Sequence, residues 1–250
     1  LLGSLLVGIS FAKAMSYSLN LPLIGVNHVH SHFYANFLEH NGIELPFVAL
    51  VVSGGHTSLF YVKDFDKVSL LGATLDDACG EAFDKVAKIL NLGYPGGPLI
   101  EKLAFKGNPG SLRFNCSGGS KHPLAFSFSG IKTAVLYYTQ NLNRPAGKTR
   151  AEDISDVCAS FQDSVTDVLV KKAMLACKVK KVKHLVLGGG VVANSVLRKK
   201  FADTCRENGI KCFFPSLRLC TDNAAMVAGF GYQLFKKGYK SGLDLGHDLN

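Results

Sequence analysis

Tryptophan is absent from the 250-residue sequence, methionine occurs only three times, and acidic residues are scarce, 19 against 28 lysines and arginines. The seven cysteines (Cys79, Cys116, Cys158, Cys177, Cys205, Cys212, Cys220) are odd in number and scattered, and no two form a C-x-x-C pair. That argues against a disulfide framework and against a thiolate zinc site, and fits a reducing compartment. A membrane span needs ~18 or more apolar residues in a row. The most apolar stretch, residues 1–19, is interrupted by Lys13, Ser4, Ser10, Ser16 and Ser18. With no basic segment before it, a signal peptide is not expected either. A helix apolar on nearly all sides must have partners on both, so residues preceding Leu1 are expected to complete its packing.

With 47% hydrophobic residues the chain can bury one large core or two modest ones. Its formal charge of +9 favours a polyanionic partner. Lysines cluster at Lys171-Lys172, from Lys178 to Lys183, at Lys199-Lys200 and at Lys236-Lys237. Charge alone does not choose between solvated helix ends and a nucleic-acid footprint.

The chain is organised around residues 48–59, V-A-L-V-V-S-G-G-H-T-S-L, an apolar run broken at Ser53-Gly54-Gly55 and resumed after His56. It reads as a buried strand turning sharply into a second one. Glycines let backbone amides approach an anion, and Ser53 and Thr57 add hydroxyls; a plain hairpin has the same signature. Upstream, Leu23 to Val26 reads as a short strand, then Asn27-His28-Val29-His30-Ser31-His32 opens a helix. His28 and His32 stand one turn apart and can share a metal ion, while His30 points elsewhere. Two ligands are too few, so a third must come from afar.

Past the hairpin, Thr74-x-x-Asp77 resembles a capping box for a helix reaching Leu90, with Ala82, Val86 and Leu90 inward and Asp77, Glu81, Asp84 and Lys88 outward. Gly93-Tyr94-Pro95-Gly96-Gly97-Pro98 reads as a rigid loop open to close backbone contact. Residues 107–119 read as an exposed loop, Phe126-Ser127-Phe128-Ser129-Gly130 as a strand before a helix carrying Lys132, and 141–148 as a linker. Thr149-x-x-Glu152 starts a long helix with Ile154, Val157, Phe161, Val165, Val168 and Leu169 inward. His184 to Gly190 forms a second strand ending in glycines, with Asn194 opening a helix, a turn suited to phosphate or to tight packing. A strand at Lys211 to Phe214 follows, and Thr221-Asp222-Asn223 caps a last helix stopped by Gly238. Asp222 is either an N-cap or the missing third ligand.

Seven motifs, in order and with compatible spacing over essentially the whole chain, resemble the TsaD family of tRNA threonylcarbamoyladenosine synthesis proteins, once called O-sialoglycoprotein endopeptidases. They are Asn27-His28-x-x-x-His32, Ser53-Gly54-Gly55-His56-Thr57, Gly80-Glu81-Ala82-Phe83-Asp84-Lys85, Tyr94-Pro95-Gly96-Gly97, Phe126-Ser127-Phe128-Ser129-Gly130, Gly188-Gly189-Gly190-Val191-x-Ala193-Asn194 and Cys220-Thr221-Asp222-Asn223-x-Ala225-Met226. The resemblance implies an α/β, two-lobed fold of the actin, Hsp70 and sugar-kinase type with RNase H-like sheets. The family's leading strand and acidic phosphate loop have no counterpart, so the first lobe is expected to be incomplete. The expected division is 1–43 as the rest of the first lobe, 44–220 as the second lobe with the glycine loops, and 221–250 as a helix returning to the first.

By the same resemblance, threonylcarbamoyl passes from its adenylate to the amine of the tRNA adenosine beside the anticodon. His28, His32 and Asp222 match the ligands of one divalent ion, iron or zinc; Val51, Val52, Ser53, Gly54, Gly55, Asp84, Gly97 and Asn194 match substrate-binding positions. No side chain stands out as general base. Implied partners are tRNA with TsaB- and TsaE-like proteins in bacteria, or a homodimer in mitochondria, with no membrane; the implied location is cytoplasmic, or alternatively mitochondrial or plastid. A kinase or ATPase of the same superfamily would share the glycine turns without needing His28 and His32. A metalloprotease would need a glutamate inside the histidine pair, where Val29-His30-Ser31 stands.

Overall fold

The structure is a computed structural model and describes residues 2–115, 122–142 and 151–246. Cys116 with the end of the 107–119 loop, residues 143–148 of the expected linker, and Thr149 lie outside the described residues. In chain order the elements are α1 (Leu2–Leu19), α2 (His28–Tyr34) continued by a 3-10 turn (Ala35–Leu38), β1 (Phe47–Val52), β2 (Thr57–Asp64), β3 (Lys67–Ala73), α3 (Cys79–Ile89), α4 (Gly96–Ala104), α5 (Ser129–Leu142), α6 (Ala151–Lys180), β4 (His184–Gly188), α7 (Ser195–Glu207), β5 (Lys211–Phe213), α8 (Leu217–Cys220) and α9 (Ala224–Lys236).

The strands form one mixed sheet in the order β3-β2-β1-β4-β5. β1 pairs antiparallel with β2 and parallel with β4, so it lies in the middle of the sheet. All six of its residues are buried, which is why it reads as an unbroken apolar run rather than an alternating one. Val48, Leu50 and Val52 face a large core shared with α3 to α7, including Phe83, Phe126, Phe161 and Phe201. Phe47, Ala49 and Val51 face a smaller, aromatic core built with Phe33 and Tyr34 of α2 and Phe230 and Leu234 of α9. Each fully buried side chain of this size contributes about 1.5–3 kcal/mol relative to exposure, so β1 ties both layers together.

Several expectations are corrected. α1 is not one of them: it forms as expected, and with Val7, Phe11 and Tyr17 71%, 67% and 78% exposed its apolar faces are uncovered among the described residues. Leu23 makes only an isolated bridge to Ser241, because the chain at residues 23–26 lies beside the C-terminal segment and away from the sheet. Thr74 does not cap α3: its hydroxyl donates to the Asp77 carbonyl (2.6 Å), and the helix begins at Cys79, where Glu81 accepts from the Ala78 amide. The Phe126–Gly130 stretch is no strand. Phe126 and Phe128 are both fully buried and stacked, and α5 already starts at Ser129, because Asp76 accepts from the Phe128 and Ser129 amides and both neighbouring hydroxyls. α5 also runs into the expected linker, to Leu142. Ile154 and Val168 of α6 are half-buried, whereas Val157, Phe161, Val165 and Leu169 are fully covered.

Candidate metal centre and adjoining loops

The histidine pair sits at the start of α2, where the Asn27 side chain accepts from the His30 amide (3.1 Å) and so fixes the first turn. The i,i+4 spacing puts the two rings 4.9 Å apart, edge to face. Asp222 arrives from the far end of the chain, at the entry to α9. The cap of that helix is Asn223, whose side chain accepts from the Met226 amide (2.9 Å), so Asp222 is left free of capping. One Asp222 carboxylate oxygen lies 3.3 Å from Nε2 of both His28 and His32. That exceeds the usual N–H···O range. It equals the edge of a tetrahedron of N and O ligands around zinc-like ions, about 3.3–3.4 Å for bonds of ~2.0–2.1 Å. Among the described residues this is the one cluster of three or more metal-ligating side chains.

The electrostatics fit a ligand set. His32 is 2% exposed. Its burial, reinforced by His28 and opposed by Asp222, lowers its pKa from 6.5 to about 4, so the imidazole is neutral at physiological pH and keeps a lone pair. Its Nδ1 is buried without a hydrogen-bond partner among the described residues. His30 is turned into the aromatic core, 5.0 Å from Phe60, and burial lowers it to about 4 as well. His56, at the end of the hairpin turn, is lowered by burial and by the charge of His28, and also feels Asp222. Sequence reasoning quoted His56 within a motif without giving it a place; only the folded hairpin brings it near the triad.

The glycine turns divide into two kinds. Val51 and Val52 are fully buried, so they offer a ligand only backbone. At Gly54 and Gly55 an added Cβ would meet nothing within 4 Å, and neither has a positive φ. Neither packing nor backbone conformation requires glycine there. Ser53 accepts from the His56 amide (3.1 Å), and the Thr57 hydroxyl accepts from the Cys79 amide (2.8 Å), tying the turn to the start of α3. Gly80 is needed for that docking, since its Cβ would stand 2.6 Å from the Ser53 carbonyl. After β4 the opposite holds. A Cβ on Gly188 would overlap the His32 carbonyl, and one on Gly189, whose φ is +97°, would overlap the Val52 carbonyl. These two glycines let the ends of β1 and β4 close beneath α2, and only Gly190 faces open space.

The remaining expected binding positions are placed as follows. Asp84 accepts from the Gly96 amide (2.7 Å) at the start of α4, and Gly96 itself is required because its Cβ would sit 2.6 Å from the Phe83 carbonyl. Gly97 has nothing within 4 Å. Asn194 is buried and its side chain is spent: it accepts from the Leu197 amide (2.9 Å) and donates to Gln162 (2.7 Å). Just before α3, Asp77 is met by Lys85 (2.6 Å) and Lys132 (3.1 Å). Burial would raise its pKa, but those two lysines outweigh it and hold the carboxylate low.

Residues 1–229 match the family model described as TsaD: tRNA N6-adenosine threonylcarbamoyltransferase. A tRNA N6-adenosine threonylcarbamoyltransferase of Clostridioides difficile is 49% identical over 238 residues, covering 95% of this chain and 70% of that protein. One of Clostridium perfringens is 48% identical over 245 residues, 98% of this chain and 71% of that protein. Among solved structures, HypF of T. kodakarensis superposes with a TM-score of 0.69 at 15% identity, over 92% of this chain and 39% of its own. Full-length HypF in its phosphate- and nucleotide-bound form gives 0.65 at 14% identity, over 90% and 44%. At such identities these two show a shared fold.

Proposed function

We propose a function from one premise, that the chain belongs to the TsaD family of tRNA N6-adenosine threonylcarbamoyltransferases. Its site transfers threonylcarbamoyl from threonylcarbamoyl-adenylate to the exocyclic amine of the tRNA adenosine beside the anticodon. The new C–N bond forms at the carbamoyl carbon as the bond from that carbon to the phosphate oxygen breaks, and AMP leaves. The observation that carries this reading is the pairing of a three-ligand cluster with a glycine turn that nothing among the described residues fills.

His28, His32 and Asp222 would hold one divalent ion, iron or zinc. Bound there, it supplies a Lewis acid for a carbonyl or carboxylate oxygen of the threonylcarbamoyl group. The protein contributes position. His32 is held neutral in a buried pocket, and Asn27 and Asn223 fix the helix starts that carry the ligands. The open Gly54-Gly55 turn lets backbone amides approach the adenylate phosphate, with Val51, Val52 and Ser53 leading into it. Asp84 orders the start of α4 so that Gly97 presents bare backbone to the ligand. The place of Asn194 is to hold the β4 turn through Gln162. Fixing donor and acceptor in this way converts a bimolecular encounter into a positioned one.

The clostridial relatives support the bacterial version of the assembly, with TsaB- and TsaE-like partners in the cytoplasm. No helix among the described residues is long and apolar enough to cross a membrane. The contact of α2 with α9 through Phe33, Tyr34 and Phe230 supports grouping residues 1–43 with 221–250, and both helices pack on the 44–220 segment through Phe47. Nucleoside mass spectrometry of tRNA from cells depleted of the protein tests the function. The threonylcarbamoyladenosine signal should fall, return with the wild-type protein, and stay low with His32→Ala; an unchanged signal on depletion contradicts the reading.

A further inference from the structure

The positive charge of this protein is unevenly neutralised. Of the lysines singled out in sequence as polyanion contacts, Lys200 is bound by Asp163 and Asp167 (2.6 Å each), and Lys237 by Asp64 and Asp66. Lys236 lies over the Tyr232 ring. A second set, which includes the Lys178 to Lys183 run, gathers where β1 and β4 begin. Tyr61, Val48, Leu185 and Cys212 form one row across β2, β1, β4 and β5. Lys63 stands two residues beyond this row, Lys183 two before it and Lys211 one before it, with the Lys211 amide donating to the Lys183 carbonyl (2.8 Å). The end of α6 adds Lys178, Lys180 and Lys181; Lys180 and Lys63 both approach the Tyr61 ring, at 5.0 and 6.0 Å.

None of these six lysines has a carboxylate within 4.0 Å among the described residues, and Asp64, the neighbour of Lys63, is taken by Lys237. The C-terminal carbonyls of α6 account for cations in its last turn. They do not account for Lys63, Lys183 and Lys211, which come from the sheet. Lys63 and Lys180 thus bring two positive charges to one ring, a local excess that an anion would offset. The row crosses four strands, about 14 Å at ~4.8 Å per strand; among the described residues no exposed aromatic side chain lies between the lysines, and Val179, 59% exposed, is the exposed apolar side chain beside them.

We propose that this end of the sheet is a contact surface for an RNA phosphate backbone. The proposal rests on the tRNA reading above and adds to it where the RNA is held. β4 runs from this end to Gly188 under His32, about 13 Å at ~3.3 Å per residue. The phosphates bound here therefore belong to a part of the RNA remote from the reacting adenosine. Affinity and chemistry are separable.

The test is binding of a tRNA transcript by the protein with its partners across a salt series. Lys178→Glu/Lys181→Glu/Lys183→Glu and, independently, Lys63→Glu/Lys211→Glu are compared with charge-matched controls, Lys102→Glu/Lys106→Glu/Lys199→Glu for the first and Lys102→Glu/Lys106→Glu for the second. Each lost phosphate contact should shallow the log–log salt slope by about 0.7–0.9. Both sheet-end variants should lose about tenfold or more in affinity, with unchanged thermal unfolding and metal content, while each control loses at most about twofold. Equal losses in the controls, or slopes unchanged in both sheet-end variants, overturn the proposal. So does loss of binding to phosphatidylglycerol vesicles with tRNA affinity intact. Wild-type protein that binds no tRNA overturns the functional reading along with this one; wild-type binding indifferent to the sheet-end variants overturns this one alone.

Discussion

The turn after β1 and the turn after β4 look alike as sequence, each a buried strand running into consecutive glycines, yet they are glycine-rich for opposite reasons. Gly188 and Gly189 are glycines because the protein itself occupies the space, the His32 and Val52 carbonyls. Gly54 and Gly55 are glycines although the protein leaves the space open. The first pair makes the floor on which α2 and its histidines rest; the second makes a vacancy beside them. A glycine pair after a strand thus carries two meanings that only tertiary neighbours separate.

That contrast is sharpest in stability. Gly188→Val should cost about 3 kcal/mol or more, since a branched side chain is driven into the backbone of α2; denaturant unfolding would show it, and a cost below about 1 kcal/mol would erase the distinction. Acid reaches the same floor through α2. His30 and His32 have folded pKa values near 4 against 6.5 for the free group. Between those values the unfolded chain binds protons that the folded chain refuses, so stability falls as pH drops from about 6.5 towards 4. For metal-free protein, urea titrations should show a loss of about 2 kcal/mol by about pH 5, after discounting the partly exposed His30 for solvent screening. On the other turn, Gly55→Val should leave unfolding within about 0.5 kcal/mol of wild type and weaken adenylate binding about tenfold, near 1.4 kcal/mol, by calorimetry. Gly190→Ala, which faces open space within the packed turn, should change stability least, by less than about 0.5 kcal/mol. A large loss there would mean that the whole β4 turn is packed.

Where local pattern suffices, the sequence was a sufficient guide. The apolar run of β1, the i,i+4 spacing of His28 and His32, the breakpoint at Gly238 and the period of α6 are all properties of neighbouring residues. The approach of Asp222 could be suspected but not placed, because an Asp at a helix start is ordinarily its cap; here Asn223 takes that task. What stayed hidden depends on distant partners. Phe126 and Phe128 alternate like strand residues yet fill the core from an irregular segment pinned by Asp76. Thr74 has the spacing of a cap but lies outside the helix. Lys200 and Lys237 read as free charge until Asp167 and Asp64 are seen beside them.

The most direct test of this account is elemental analysis of the purified protein beside its His28→Ala/His32→Ala variant. One cluster of three ligands predicts about one iron or zinc ion per chain in the wild type, lost in the double variant while thermal unfolding shows it still folded. Equal metal content in the two folded proteins would contradict the assignment of His28, His32 and Asp222 as its ligands.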